Sequence, residues 1–259
     1  MDLLPLVVCG TAAALYALGR RGRTRVCREL SFYGGVALAL VVLEKPFDDW
    51  ADRWLSVHMT QHLVLMTVVA PLVVLGRPWP RMWLPFPLSA RRAVGGALSR
   101  SHSFRRGAGL LRRPWVALAV QSAMVALWHV PQLYDAAARN EWIHVLEHVC
   151  FVVPSLIFWG ALLGAPPVRA RIGDLQRSLC FAAAMVPMWI LAIVLAFAPS
   201  PIYAAYPSLT DQQLAAGVMW VPGSLTYFIA AFYFFYRWLE PGVAETTAAE
   251  PRPEELSWT

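Results

Sequence analysis

Charge is scarce in this sequence. Only 15% of its 259 residues are charged, while 58% are hydrophobic. A soluble globular chain is nearer about 25% charged, so the balance excludes a soluble fold and fits one polytopic membrane bundle. Lysine is almost missing: of 22 basic residues only Lys45 is a lysine, a bias of genome composition rather than of mechanism. Paired cysteines are missing too. Cys9, Cys27, Cys150 and Cys180 are scattered without a CxxC pair, which excludes a disulfide framework and a thiolate zinc site. The first apolar run has no basic region before it and a strongly basic one after it, so no cleavable signal peptide is visible and the run reads as a retained span. A net charge of +6 does not point to nucleic acid, because the basic residues lie in short loops between apolar spans and act there as topology signals.

What is present is a set of apolar segments. A bilayer core needs about 20 apolar residues per helix, and seven stretches come near that length: residues 3–19, 30–47, 54–75, 114–131, 142–163, 178–198 and 213–238. The segments after the first, third, fifth and seventh spans hold 19 of the 22 basic residues, leaving Lys45, Arg53 and Arg139 for the others. Cytoplasmic loops collect Lys and Arg. The expected fold is therefore an all-α seven-transmembrane helix bundle over residues 1–239, with the amino terminus outside and the carboxyl terminus cytoplasmic. Residues 240–259 are acidic, proline-containing and poor in apolar side chains, so they read as a disordered tail. The loop from Gly76 to Arg113 has no acidic residue; it reads as a solvated topology signal, with an amphipathic helix on anionic lipid as the alternative.

This topology gathers five of the six histidines in one layer near the outer surface. His58 and His62 stand in the first turns of span three, His129 in the last turn of span four, and His144 and His148 in the first turns of span five; His102 lies in the basic loop. Residues four apart share a helix face, so His58/His62 and His144/His148 are two same-face pairs. Imidazoles in a membrane are costly and need a reason. Two such pairs with His129 at a third corner can close a nitrogen-rich metal site. Glu147 is placed to act as a ligand or to orient an imidazole. Asp211 at the entrance of span seven and Met219 two turns deeper add a carboxylate and a thioether, and soft ligands beside imidazole suit copper. Met59, Met66, Met124, Met185 and Met188 read as packing residues, and Cys9 is a weak candidate for an extra sulfur. Asp48, Asp49 and Asp52 make the outer mouth acidic. Pro71, Pro154, Pro187 and Pro222 each remove a backbone donor inside a span.

The blocks HMTQHLVLMTVVAPLVVLGRP, WHVPQLYDAAARNEWIHVLEHVCFVVPSLIFW and DQQLAAGVMWVPG, in this order, resemble the polytopic CtaG family of cytochrome c oxidase assembly factors over about residues 50–238. The resemblance implies a multi-pass protein of the bacterial plasma membrane, not an enzyme, that helps mature a haem-copper oxidase by binding and delivering copper on the outer face. It maps the family's metal positions onto His58, His62, His129, His144, His148, Asp211 and Met219. The implied partners are the oxidase subunit carrying a copper centre, a separate copper chaperone and the lipid bilayer, with no nucleic acid. Some relatives are fused to a copper-resistance-type membrane domain that this chain does not carry. From the residues alone two other readings stand beside this one: a seven-span zinc hydrolase with Glu147 or Asp211 as base, and a haem-binding electron-transfer protein.

Overall fold

The computed structural model describes residues 3–20, 22, 25–166 and 172–240; the expected disordered tail lies, but for Glu240, outside them. Among the described residues the fold is all-helical with no strand. Its helices are α1 (Leu4–Leu18), α2 (Val26–Leu43), α3 (Phe47–Ala51), α4 (Leu55–Val64), α5 (Ala70–Leu75), α6 (Pro78–Met82), α7 (Leu88–Arg100), α8 (His102–Leu111), α9 (Pro114–Trp128), α10 (Pro131–Arg139), α11 (Glu141–Leu162), α12 (Asp174–Phe197) and α13 (Leu209–Leu239). A π-helical turn, Leu65–Val69, joins α4 to α5.

Five helical stretches are long and apolar enough to cross a membrane: Val26–Leu43, Leu55–Leu75, Glu141–Leu162, Asp174–Phe197 and Leu209–Leu239. The protein is thus a membrane protein. The first and fourth expected spans are shorter than anticipated. α1 and α9 have 15 residues each, about 22 Å at 1.5 Å per residue. The fourth ends at Trp128 because Val130 precedes Pro131, whose ring pushes the preceding residue out of the α region. Val130 takes ψ 125°, and α10 leaves at 74° to α9. The second span lies four residues earlier than the hydropathy pattern suggests. It ends at Leu43 and includes Arg28 and Glu29 in its first turns, where Glu29 is paired with Arg20 and Arg81.

The π-turn follows from Pro71. Inside a helix a proline donates no hydrogen bond, and its ring crowds the carbonyl four residues back. The chain widens by one residue, so that the Ala70 N–H bonds the Leu65 carbonyl. The Met66 carbonyl then has only residue 71, which has no N–H, in i+5 register. The indole of Trp159 on α11 donates to it instead, at 3.0 Å. This bond ties span three to span five below the histidines.

The main core lies between α4, α9, α11, α12 and α13. Trp159 stacks on Tyr227 at 5.4 Å, and Phe158 and Phe181 close around them. A smaller apolar cluster joins Cys9, Ala39, Val42, Leu65 and Val69, so Cys9 is packed in hydrocarbon rather than beside the histidines. α7 and α8 bury no residue.

Candidate metal centre

The first turn of α4 is held by a carboxylate from another helix. Asp211, on α13, accepts hydrogen bonds from the backbone N–H of Leu55 at 2.6 Å, that of Ser56 at 3.3 Å, and the Ser56 hydroxyl. α4 has no side-chain cap of its own, and its orphan N–H groups need an acceptor. The Ser208 hydroxyl in turn caps α13. α11 starts on Asn140, whose side chain accepts from the N–H groups of Trp142 and Ile143. These two starts place His58 and His62 opposite His144, Glu147 and His148.

The four groups His58, His62, His144 and Glu147 can each offer a ligand atom such that all lie within 4.8 Å of one another. The ring centroids of His58 and His62 are 4.4 Å apart and those of His144 and His148 4.3 Å, as the shared helix faces require. Across the helix pair His58 stacks on His144 at 4.9 Å, and His62 meets His148 at 5.1 Å. Glu147 is 0% exposed. Its carboxylate oxygens lie 3.8 Å from His58 Nε2 and 3.9 Å from His62 Nδ1, beyond hydrogen-bond reach.

Seven donor or acceptor atoms here are buried without a hydrogen-bond partner: His58 Nε2, both ring nitrogens of His62, His144 Nε2, His148 Nε2 and both Glu147 oxygens. Each such atom costs about 1–3 kcal/mol when left unsatisfied, and one ligand atom from each of His58, His62, His144 and Glu147 lies within 4.8 Å of the other three. A cation among these four satisfies one atom of each. The fit is close. Bonds of 2.0–2.1 Å hold tetrahedral donors roughly 3.3 Å apart, so small side-chain rotations draw the group in. Imidazole with one carboxylate suits copper, zinc and iron alike.

Hydrogen bonds around the cluster fix the tautomers of His58 and His129. The Tyr206 hydroxyl lies 2.9 Å from the Ala51 carbonyl, which only accepts, and 3.1 Å from His58 Nδ1. Tyr206 has one proton to give, so His58 Nδ1–H donates to the phenol oxygen and Nε2 turns a lone pair toward the cluster. His129 Nδ1–H donates to the Val125 carbonyl at 2.7 Å, and its Nε2 faces the sulfur of Met59 at 3.4 Å. Both facing atoms then carry lone pairs, an arrangement suited to a soft cation. Met219, Met66 and Met188 line the same small apolar cavity, with His62, His129 and Phe151.

The anticipated site residues fall into three positions. His58, His62 and His144 meet, and Glu147 sits among them as a direct neighbour. His148 is beside them, outside the group of four. His129 and Met219 occupy the adjoining methionine layer, while Asp211 has its oxygens committed to the start of α4. Tyr206, Tyr134 and Met59 were not singled out as site residues from the sequence. The α9–α10 bend lays Tyr134 5.2 Å from His58 and 5.8 Å from His129, and the YAAY spacing in the α12–α13 loop was the available signal for Tyr206. The cluster communicates with the surface through a cavity of about 80 Å³ lined by Glu44, Asp48, Glu141, His144 and His148. Asp48 also accepts from the buried Gln61 amide at 3.1 Å.

The sequence profile of the cytochrome c oxidase caa3 assembly factor family (Caa3_CtaG) matches residues 12–240. Uncharacterised proteins of Mycobacterium bovis and Mycobacterium tuberculosis are each 25% identical over 230 residues, covering 83% of this chain and 34% of theirs. One of Mycobacterium leprae is 22% identical over 88% of this chain and 37% of its own length. The chain therefore spans about a third of the length of the curated relatives it matches. No solved structure matches it.

Proposed function

From the premise that the chain belongs to the cytochrome c oxidase caa3 assembly factor family, we propose that it binds copper in the histidine cluster and delivers it to a copper-bearing subunit of a haem-copper oxidase. In this reading the protein is not an enzyme. It crosses the bacterial plasma membrane seven times, amino terminus outside, with α1 and α9 as short spans accommodated by tilt or local thinning of the bilayer. The cluster then lies at the outer face, and a separate copper chaperone supplies the metal.

The observation that carries the reading is that one ligand atom from each of His58, His62, His144 and Glu147 lies within 4.8 Å of the others between α4 and α11, among buried polar atoms without hydrogen-bond partners. Copper is favoured over zinc by the layer beneath, where the His129 imidazole and the Met59 thioether face each other with lone pairs and three further methionines stand close. Thioethers hold Cu(I) and contribute little to a zinc hydrolase. The cavities at the cluster, about 80 and 10 Å³, are far below the roughly 300–1,000 Å³ of cofactor pockets, which weighs against haem.

The test is the copper content of the oxidase in cells whose copy of this protein carries His62→Ala. Oxidase that keeps its haem and loses its copper is the expected result. Unchanged oxidase copper overturns the proposal.

A further inference from the structure

About 28 Å along span three from His58, taking 1.5 Å per residue over the 19 residues to Arg77, the opposite end of the bundle holds a second polar site. A cavity of about 410 Å³ lies where the ends of α1 and α5 meet α6 and the start of α2, lined by Arg28, Arg77 and Arg81, with Tyr16, Leu84 and Pro166 as less polar walls. Arg81 is 9% exposed. Its guanidinium lies 3.8 Å over the Tyr16 ring and its Nη1 donates to Glu29 at 3.1 Å, while its buried Nε has no hydrogen-bond partner. Glu29 also pairs with Arg20 at 3.5 Å, so one carboxylate serves two of the arginines at this end.

The backbone is arranged to bring Arg77 here. A side chain at Gly76 would collide with Phe32 on α2, its Cβ falling 2.6 Å from that of Phe32, so the glycine is spent on close packing. The left-handed position after it, φ 50°, goes to Arg77 instead. Glycine takes that conformation freely and arginine takes it against strain; the side chain gained is a third guanidinium on the cavity wall. Trp79, Trp83 and Phe86 stand exposed next to it, the pattern of an aromatic belt at a bilayer interface.

We propose that this cavity binds the phosphate group of an anionic phospholipid drawn from the adjacent leaflet. Guanidinium forks match phosphate oxygens bidentately, and basic pockets at helix ends near the membrane surface suit anionic head groups. The exposed aromatic rim and the apolar wall favour a phosphate that arrives with acyl chains over a free one.

The full chain, purified in detergent, is titrated with phosphatidylglycerol, phosphatidylcholine or inorganic phosphate while its melting temperature is followed and bound lipid is counted by native mass spectrometry. Phosphatidylglycerol is expected to raise the melting temperature saturably, with a retained lipid mass, and the other two are not. Arg77→Gly removes the guanidinium but suits the left-handed backbone. It is expected to leave the lipid-free melting temperature equal or higher, and to weaken the phosphatidylglycerol half-saturation about tenfold, the loss of one charge-assisted contact. Arg28→Gln weakens it likewise, and Arg105→Gln on α8 does not. Equal responses to both lipids, a full response to inorganic phosphate, or wild-type lipid affinity in both Arg77→Gly and Arg28→Gln overturns the proposal.

Discussion

Asp211 separates two roles that the sequence leaves joined, cap and metal ligand, and its removal should act on stability before it acts on metal. Its two oxygens accept from Leu55 N–H, Ser56 N–H and the Ser56 hydroxyl, on residues that are 0% and 7% exposed. Asp211→Ala leaves all three donors without their acceptor. Loss of an N-cap costs typically about 1 kcal/mol, and charge-assisted bonds to buried donors raise that toward 2–4 kcal/mol in total. Asp211→Asn keeps an acceptor for the Ser56 pair but turns an NH2 toward the Leu55 N–H, so it should fall between wild type and Ala. For a chain of this size roughly 3 kcal/mol lowers the melting temperature by about 6–12 °C. The assay is thermal unfolding in detergent, with metal content measured on the same preparation well below the transition. The expected result is a large loss of stability with metal stoichiometry close to wild type. Loss of metal at an unchanged melting temperature would refute the capping argument and make Asp211 a ligand.

Three further outcomes follow from particular contacts. Glu147→Gln keeps the shape of the cluster and removes its buried charge, so bound metal measured by mass spectrometry should fall severalfold while helix content by circular dichroism stays constant. Trp159→Phe strands the Met66 carbonyl that Pro71 leaves without a helical donor, at a cost of about 1–3 kcal/mol; in a Pro71→Ala background, where residue 71 regains its N–H, the same change should cost less, and equal costs in both backgrounds would contradict the account of the π-turn. Burial holds the phenols of Tyr203 and Tyr206, in the α12–α13 loop, well above their ordinary titration range. Raised folded-state values mean that the stability they contribute is fully present below pH about 10, the unfolded value, and is lost as pH rises beyond it. A melting-temperature series across that range should decline less steeply for Tyr206→Phe than for wild type.

The elements of this fold differ in how far the chain announces them. Span three and span five were legible as segments, and their histidines as same-face pairs, because an i, i+4 spacing fixes a helix face whatever the tertiary context. The inward aim of Glu147 was half legible: three residues after His144 it lies roughly 60° round the helix from it, on the side away from His148, but its complete burial depends on α4. The π-turn was not legible, since Pro71 can equally kink a helix or widen it, and the choice rests on Trp159 supplying a donor from another span. The frame of α2 differs from the hydropathy pattern because Glu29, near a membrane end, is paired with Arg20 and Arg81, which lie outside the window. Asp211 reads as a ligand because it opens span seven beside the expected site; that it also accepts from the start of α4 depends on α13 packing against α4, a contact no local pattern encodes. Met59 was read as packing and does pack, yet its sulfur meets His129, 70 residues away.

The proposed copper site lies between α4 and α11. It is tested most directly by metal analysis and copper K-edge absorption on wild-type protein purified gently from membranes, beside His62→Ala and His144→Ala. The account predicts up to one copper per chain, nitrogen or oxygen scatterers at about 2.0 Å, and loss of that copper in both variants. Zinc in place of copper, or copper retained at wild-type levels in both variants, would contradict it.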